Sequence, residues 1–298
     1  MITVTLLGAA ATMPLPDRAL TSVYLSCGGH NVLFDCREGT QTAIRKAHLS
    51  PMKIELICLS HYHGDHIFGL PGLLHSMSLL GRAEPLLITG PAGIETELAP
   101  IMALCRDLDY EVRLFPMPEE GLELAAHLHL KAFPTAHKMP SFGYRFELER
   151  PGAFLSEKAE ALGIPKSCWA RLQRGEAVDG FRPQDVLGEA RKGLSVVFSG
   201  DTSPCPSLVE NAAGADLFIC EATYGDDAHL ENAVRHGHST FTQAAQMAAE
   251  AGVKRLWLAH FSQMVTEPEE FLPLAEALFP GAEPGFDGKS CCLRFEEN

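Results

Sequence analysis

The sequence predicts an α/β protein, and three features carry that prediction. Short apolar runs that read as buried strands alternate with longer stretches of helical pattern. Five of those runs end within four residues of a histidine or an acidic residue: His61, His137, Asp201, Glu221 and His260. No fixed-period repeat or low-complexity tract interrupts the alternation. In a sheet whose strands share one C-terminal edge, those five endings would gather into a single site.

Taken in order, Met1 to Leu7 reads as a first strand, followed by a small-residue loop from Ala9 to Pro16. Val23–Cys27, the Gly28-Gly29 turn and Val32–Asp35 form a hairpin. Cys36 to Gln41 opens a helix that runs through Ala47. The apolar run Leu56–Leu59 is a buried strand, and Ile67 to Leu80 reads as one helix despite Pro71. Leu86 to Pro91 is a strand closed by a Gly-Pro stop, with a helix from Gly93 to about Leu108 after it. Strands follow at His127–Phe133, Ser195–Phe198, Leu217–Cys220 and Leu256–Ala259. Thr240 and Gln243 form a capping box, and the helix they start stops at Gly252. His238 lies just before that helix, where the dipole lowers an imidazole pKa and a nearby carboxylate such as Glu221 would raise it again.

Ser60-His61-Tyr62-His63-Gly64-Asp65-His66 follows the Leu56–Leu59 strand. Residues two apart in an extended segment point the same way, so His61 and His63 can grip one ion together. Gly64 permits a tight turn that aims Asp65 and His66 at a second position. Neutral imidazole and carboxylate are ligands that zinc and similar ions favour, so the spacing describes a paired-metal site.

The chain has 298 residues, 46% of them hydrophobic, enough for a substantial core in one large domain or two small ones. No apolar run approaches a membrane span, and the N-terminus lacks the basic start of a signal peptide. Nine scattered cysteines without a Cys-x-x-Cys pair point to a reducing, cytoplasmic setting. A net charge of −14 argues against broad nucleic-acid binding. Residues 150–192 depart from that balance: eight basic residues face six acidic ones, while the remainder of the chain stands at −16. No Gly-x-Ser-x-Gly supports a serine nucleophile. His30, His48, His75, His127, His129, His229 and His236 lie outside the motifs and read as surface or packing residues.

With these residues assembled, the chain resembles the metallo-β-lactamase superfamily, whose hallmark is His-x-His-x-Asp-His. Glu38-Gly39-Thr40-Gln41, Glu221-Ala222-Thr223 and His238-Ser239-Thr240 narrow the resemblance to the ribonuclease Z family of tRNA 3′-processing endonucleases. The resemblance implies an αββα sandwich over residues 1–298 with an arm inserted at 150–192 that grips precursor tRNA, usually in a homodimer. It implies zinc, with manganese as the other ion, two per subunit. One would sit on His61, His63 and His137 and the other on Asp65, His66 and His260, with Asp201 bridging them.

Two dications less two carboxylates and a hydroxide leave about +1, which suits attack on a phosphodiester. Asp65 would orient the water and act as base, and His238, held by Glu221, would act as acid. A different di-metal hydrolase, acting on a small phosphodiester or lactone, is the alternative, and a non-catalytic nucleic-acid binder is a second. Trp169 in the arm reads as packing, with stacking on RNA as its other use. Three departures from the family pattern stand out: Arg37 in place of glycine, Met264-Val265 in place of Arg-Tyr, and Lys166-Ser167-Cys168 in place of Gly-Pro in the arm. All three are expected to leave the metal site untouched.

Overall fold

Strands buried along most of their length build two sheets. β1 (Ile2–Gly8), β2 (Ser22–Cys27), β3 (His30–Phe34), β4 (Leu56–Cys58), β5 (Leu86–Gly90) and β6 (Val112–Pro116) belong to the first. β7 (Leu122–Ala125), β8 (Leu128–Pro134), β9 (Phe142–Arg150), β10 (Arg191–Phe198), β11 (Leu217–Glu221), β12 (Leu256–Ala259) and β13 (Glu283–Pro284) form the second, and β14 (Lys289–Leu293) returns to pair with β1. The strand orders are β14-β1-β2-β3-β4-β5-β6 and β13-β12-β11-β10-β9-β8-β7. The computed structural model describes residues 1–296.

The first sheet carries α1 (Thr40–Lys46), α2 (Gly64–Ile67), α3 (Leu70–Leu79) and α4 (Ile94–Leu104). Residues 150–192 hold α5 (Ser156–Ala161), α6 (Lys166–Gln173) and α7 (Pro183–Val186). The second sheet carries α8 (Pro206–Ala212), α9 (Leu230–His236), α10 (Phe241–Ala251) and α11 (Leu272–Glu276). Along β4, Leu56 and Cys58 face the core between the sheets, while Ile57 and Leu59 pack outward with Leu70, Leu73 and Leu74 of α3. A strand buried on both faces reads as an unbroken apolar run, which is why β4 carries no polar alternation. Phe34 meets Tyr144 and Phe198 across the sheets, with ring centroids 5.4 and 5.7 Å apart. Helices outside two packed sheets make the αββα sandwich.

Residues 150–192 close on their own small core of Ala159, Ile164, Leu172 and Val186, with Phe154, Trp169 and Phe181 packed against it. The Phe154–Leu187 bridge closes the base of this segment. Trp169 donates its indole N–H to the Ile164 carbonyl at 3.0 Å.

Two expected helices differ. The stretch read as one helix from Ile67 to Leu80 is α2 and α3, split at Phe68–Gly69. The break lets the Gly69 N–H reach the Cys36 carbonyl at 2.9 Å, and Pro71 is accommodated in the first turn of α3. α4 stops at Leu104 rather than about Leu108, because Cys105 leaves helical geometry. β6, β7, β9, β13 and β14 are strands beyond those expected: β9 mixes charge into its alternation (Arg145, Glu147, Glu149), and the other four are five residues or shorter.

A Cβ on Gly69 would lie 1.9 Å from the Arg37 carbonyl oxygen. Gly69→Ala should therefore push α3 off the Cys36–Arg37 backbone and cost at least ~2 kcal/mol. A urea unfolding curve checks this, and an unchanged midpoint would show that the contact is not binding.

Candidate metal centre

β10, β11 and β12 run parallel, and two antiparallel steps through β9 set β8 in the same direction. Their C-terminal ends therefore share one edge. The end of β4 joins that edge from the other sheet: Tyr144 donates its hydroxyl to the Leu59 carbonyl at 2.6 Å, and the Phe142 N–H bonds the Ser60 carbonyl at 2.9 Å. The nine residues singled out from the sequence as candidate site residues all come together here, in three adjoining groups: His61, His63, His137; Asp65, His66, Asp201, His260; and Glu221, His238, His260. None of the seven other histidines enters such a group among the described residues.

In the first group, His63 Nδ1 lies 2.9 Å from His61 Nε2 and 3.2 Å from His137 Nε2. Nitrogens at ~2.0–2.1 Å around a tetrahedral ion stand roughly 3.3 Å apart, so these three fit one. In the second, Asp201 Oδ2 is 3.1 Å from His66 Nε2, and Asp201 Oδ1 is 3.3 Å from His260 Nε2. Asp65 Oδ2 stands 3.5 Å from His66 Nε2 and 3.9 Å from His260 Nε2. His260 Nε2 is buried and bonds to nothing, an orphan that a metal ion would satisfy. His61, His66, Asp201 and His260 are buried, while His63 is exposed, so the group opens to solvent on the His63 side. The His/Asp groups fit a divalent metal site.

The outer nitrogens explain why the inner ones point at one locus. His66 Nδ1 lies 2.8 Å from Asp35 Oδ2. Ser60 donates its hydroxyl to the same Asp35 oxygen at 2.9 Å and accepts from His61 Nδ1 at 3.0 Å. Thr223 donates its hydroxyl to Glu221 Oε2 at 2.8 Å and accepts from His260 Nδ1 at 2.9 Å. His137 Nδ1 donates to the Gly237 carbonyl at 2.8 Å. Each bond puts the ring proton on Nδ1 and leaves a bare Nε2 lone pair inside. Asp35 and His260 adopt left-handed backbone, with φ of 57° and 62°, a costly conformation that concentrates at functional sites. Asp35, Ser60 and Thr223 had no role in the sequence reading. Asp35 was legible in principle, because it too ends an apolar strand.

Arg37 overturns one expectation. It is fully buried, and its guanidinium enters the second group: Nη1 is 2.8 Å from Asp65 Oδ2, and Nη2 is 2.6 Å from His66 Nε2 and 3.4 Å from Asp201 Oδ1. Arg37 thus reaches the candidate ligand atoms themselves.

Burial holds the His61, His63 and His260 pKa values below the ordinary histidine range, giving the neutral rings that metal binding needs. Asp65 and Asp201 are held below the carboxylate range although burial opposes it, through the histidines and Arg37 around them. For His66, burial and Arg37 disfavour protonation while Asp201 and Asp35 pull its pKa up to about 9. Arg37 thus favours the neutral ring against the pull of the two carboxylates.

His238 Nδ1 sits 2.8 Å from Glu221 Oε1, and Glu221 further accepts the N–H groups of Thr202, Thr223 and Ser239. Burial lowers the His238 pKa, but Glu221 outweighs it and lifts the value to about 9. A raised histidine contributes stability that is complete below about 6.5 and lost as pH rises through about 9. NMR titration of metal-free protein should show His238 protonated at neutral pH, with Glu221→Gln returning it toward ~6.5. Identical titrations in both proteins would break the pair's assignment.

The family described as Beta-lactamase superfamily domain matches residues 30–156 and 171–261. Ribonuclease Z of Lachnoclostridium phytofermentans is 40% identical to this chain, each covered in full. Ribonuclease Z of Clostridium tetani is 38% identical over 99% of this chain and 100% of its own. The crystal structure of human tRNase Z, short form, superposes with a TM-score of 0.69 at 30% identity, covering 98% of this chain and 100% of that one. The chain belongs to the ribonuclease Z family of the beta-lactamase superfamily.

Proposed function

We propose that this chain is a zinc-dependent endoribonuclease that removes the 3′ trailer from precursor tRNA, with manganese as the other ion it accepts. One observation carries the reading: the His61, His63, His137 group adjoins the group that holds Asp201, whose Oδ2 lies 3.9 Å from His61 Nε2, with the His238–Glu221 pair beside them. His61, His63 and His137 would hold one ion, and Asp65, His66 and His260 the other, with Asp201 between them. When bound, the ions supply a nucleophile ionised near neutral pH and charge for the phosphate oxygens. Asp65 orients the attacking water and takes its proton. Glu221 occupies His238 Nδ1, so Nε2 is free to protonate the leaving oxygen, and the raised pKa keeps that proton in place at neutral pH. The tRNA substrate rests on the names of the relatives.

The segment at 150–192 serves as the tRNA grip in this reading. Lys158, Lys166, Arg171 and Arg174 are exposed on it, in a chain that otherwise stands at −16. Trp169 spends its N–H and packs on Phe154, which favours packing over base stacking. The exposed Phe68, Leu79, Leu80 and Leu104 on the α2–α4 layer support a homodimer, and nine unpaired cysteines support a cytoplasmic setting. No helix among the described residues is long and apolar enough to cross a membrane.

Incubation with trailer-bearing precursor tRNA should give one cut where the mature 3′ end meets the trailer, and mapping the ends checks it. No cut, or scattered cuts, would refute the substrate. His238→Ala should slow cleavage by roughly 100- to 10,000-fold with metal content unchanged.

Replacing Leu155 to Val186 by a short Gly-Ser linker, across the Phe154–Leu187 bridge, should spare hydrolysis of a small aryl phosphodiester. It should raise KM for precursor tRNA and flatten the salt dependence. Equal losses on both substrates would make the segment structural. Light scattering should return twice the chain mass, and Leu79→Asp should return the single chain.

A further inference from the structure

We propose that Arg37 is a built-in cation at the second ligand group, competing with a divalent ion for Asp65, His66 and Asp201, so that the two metal positions fill unequally. The first position takes an ion freely, and the second takes one only when the guanidinium withdraws. The inference rests on the assignment of both groups as metal positions made above.

Arg37 reaches atoms of all three residues that the ion would need, Asp65, His66 and Asp201. Arg37 Nη2 lies 2.6 Å from His66 Nε2 and 2.9 Å from its Nδ1, against the ring between the two nitrogens, so the guanidinium takes up space that an ion on Nε2 would need. Arg37 Nη1 takes Asp65 Oδ2 at 2.8 Å, and Nη2 reaches Asp201 Oδ1 at 3.4 Å. Asp35 adds a further carboxylate 3.9 Å away. The first group stands apart from this: none of His61, His63 or His137 is bonded to Arg37.

The charge count points the same way. Asp35, Asp65 and Asp201 are three carboxylates in one buried pocket, and a bare pocket of that kind is costly without a cation. A guanidinium, which stays charged in proteins, supplies one permanently. Its Nε is buried without a partner, so the arginine is held by its two terminal nitrogens alone. Such a hold is strong enough to order the side chain and leaves a partly satisfied group that can be displaced.

The test is calorimetric titration of metal-free protein with Zn²⁺, repeated for Arg37→Gly and for Arg37→Met, which keeps volume and drops charge. Wild type should show one tight ion and a second at least about 100-fold weaker, the scale of breaking a buried ion pair. Both variants should bring the two steps within about 10-fold of each other. As a measurement on the wild-type chain alone, the Arg37 guanidinium NMR signals, identified by their loss in Arg37→Met, should persist through the first equivalent of Zn²⁺ and change at the second. Two equal steps in wild type, or guanidinium signals indifferent to the second equivalent, would overturn the proposal while leaving the two-metal reading intact. A chain that takes up no ion at either group would overturn that reading and this proposal together.

Discussion

The site depends on one constraint: four buried or half-buried imidazoles must each offer a bare Nε2 to a shared locus. An imidazole chooses its tautomer by what its other nitrogen meets, so the outer partners decide the inner chemistry. Asp35 serves His66 directly and His61 through Ser60, and Glu221 serves His260 through Thr223. The Gly237 carbonyl serves His137. Two buried carboxylates thus orient three of the rings. Both are secured in turn by backbone N–H groups, Asp35 by Ser60 and Glu221 by Thr202, Thr223 and Ser239.

Glu221 does a second job with the same carboxylate. Its Oε2 sets the tautomer of His260, and its Oε1 holds His238 and raises its pKa to about 9. The tautomer of His260 and the protonation of His238 are therefore coupled through one buried residue. The fold makes that economical, since β10, β11 and β12 run parallel and deliver Asp201, Glu221 and His260 side by side.

Charge is spread unevenly over the rest of the molecule. The sheet edge concentrates carboxylates and histidines in a buried pocket, where Arg37 supplies positive charge. The segment at 150–192 carries its basic residues outward on a small core of its own. It joins the body between β9 and β10.

The sequence by itself determined the strand-end endings and the ligand candidates. His61, His63, Asp65 and His66 are legible because their spacing is local: strand period and one glycine turn decide where they point. His137, Asp201, Glu221 and His260 were legible because an acidic or imidazole group at the end of an apolar strand has few uses in a core. Only the tertiary structure decided the partners. Asp35 meets His66 across 31 residues, Thr223 meets His260 across 37, and no periodicity in the chain encodes either pair. Arg37 shows the limit most plainly. From sequence it is one departure in a loop after β3. Its carbonyl backs against Gly69, its side chain is buried, and a buried guanidinium must find carboxylates, which here belong to the candidate metal site.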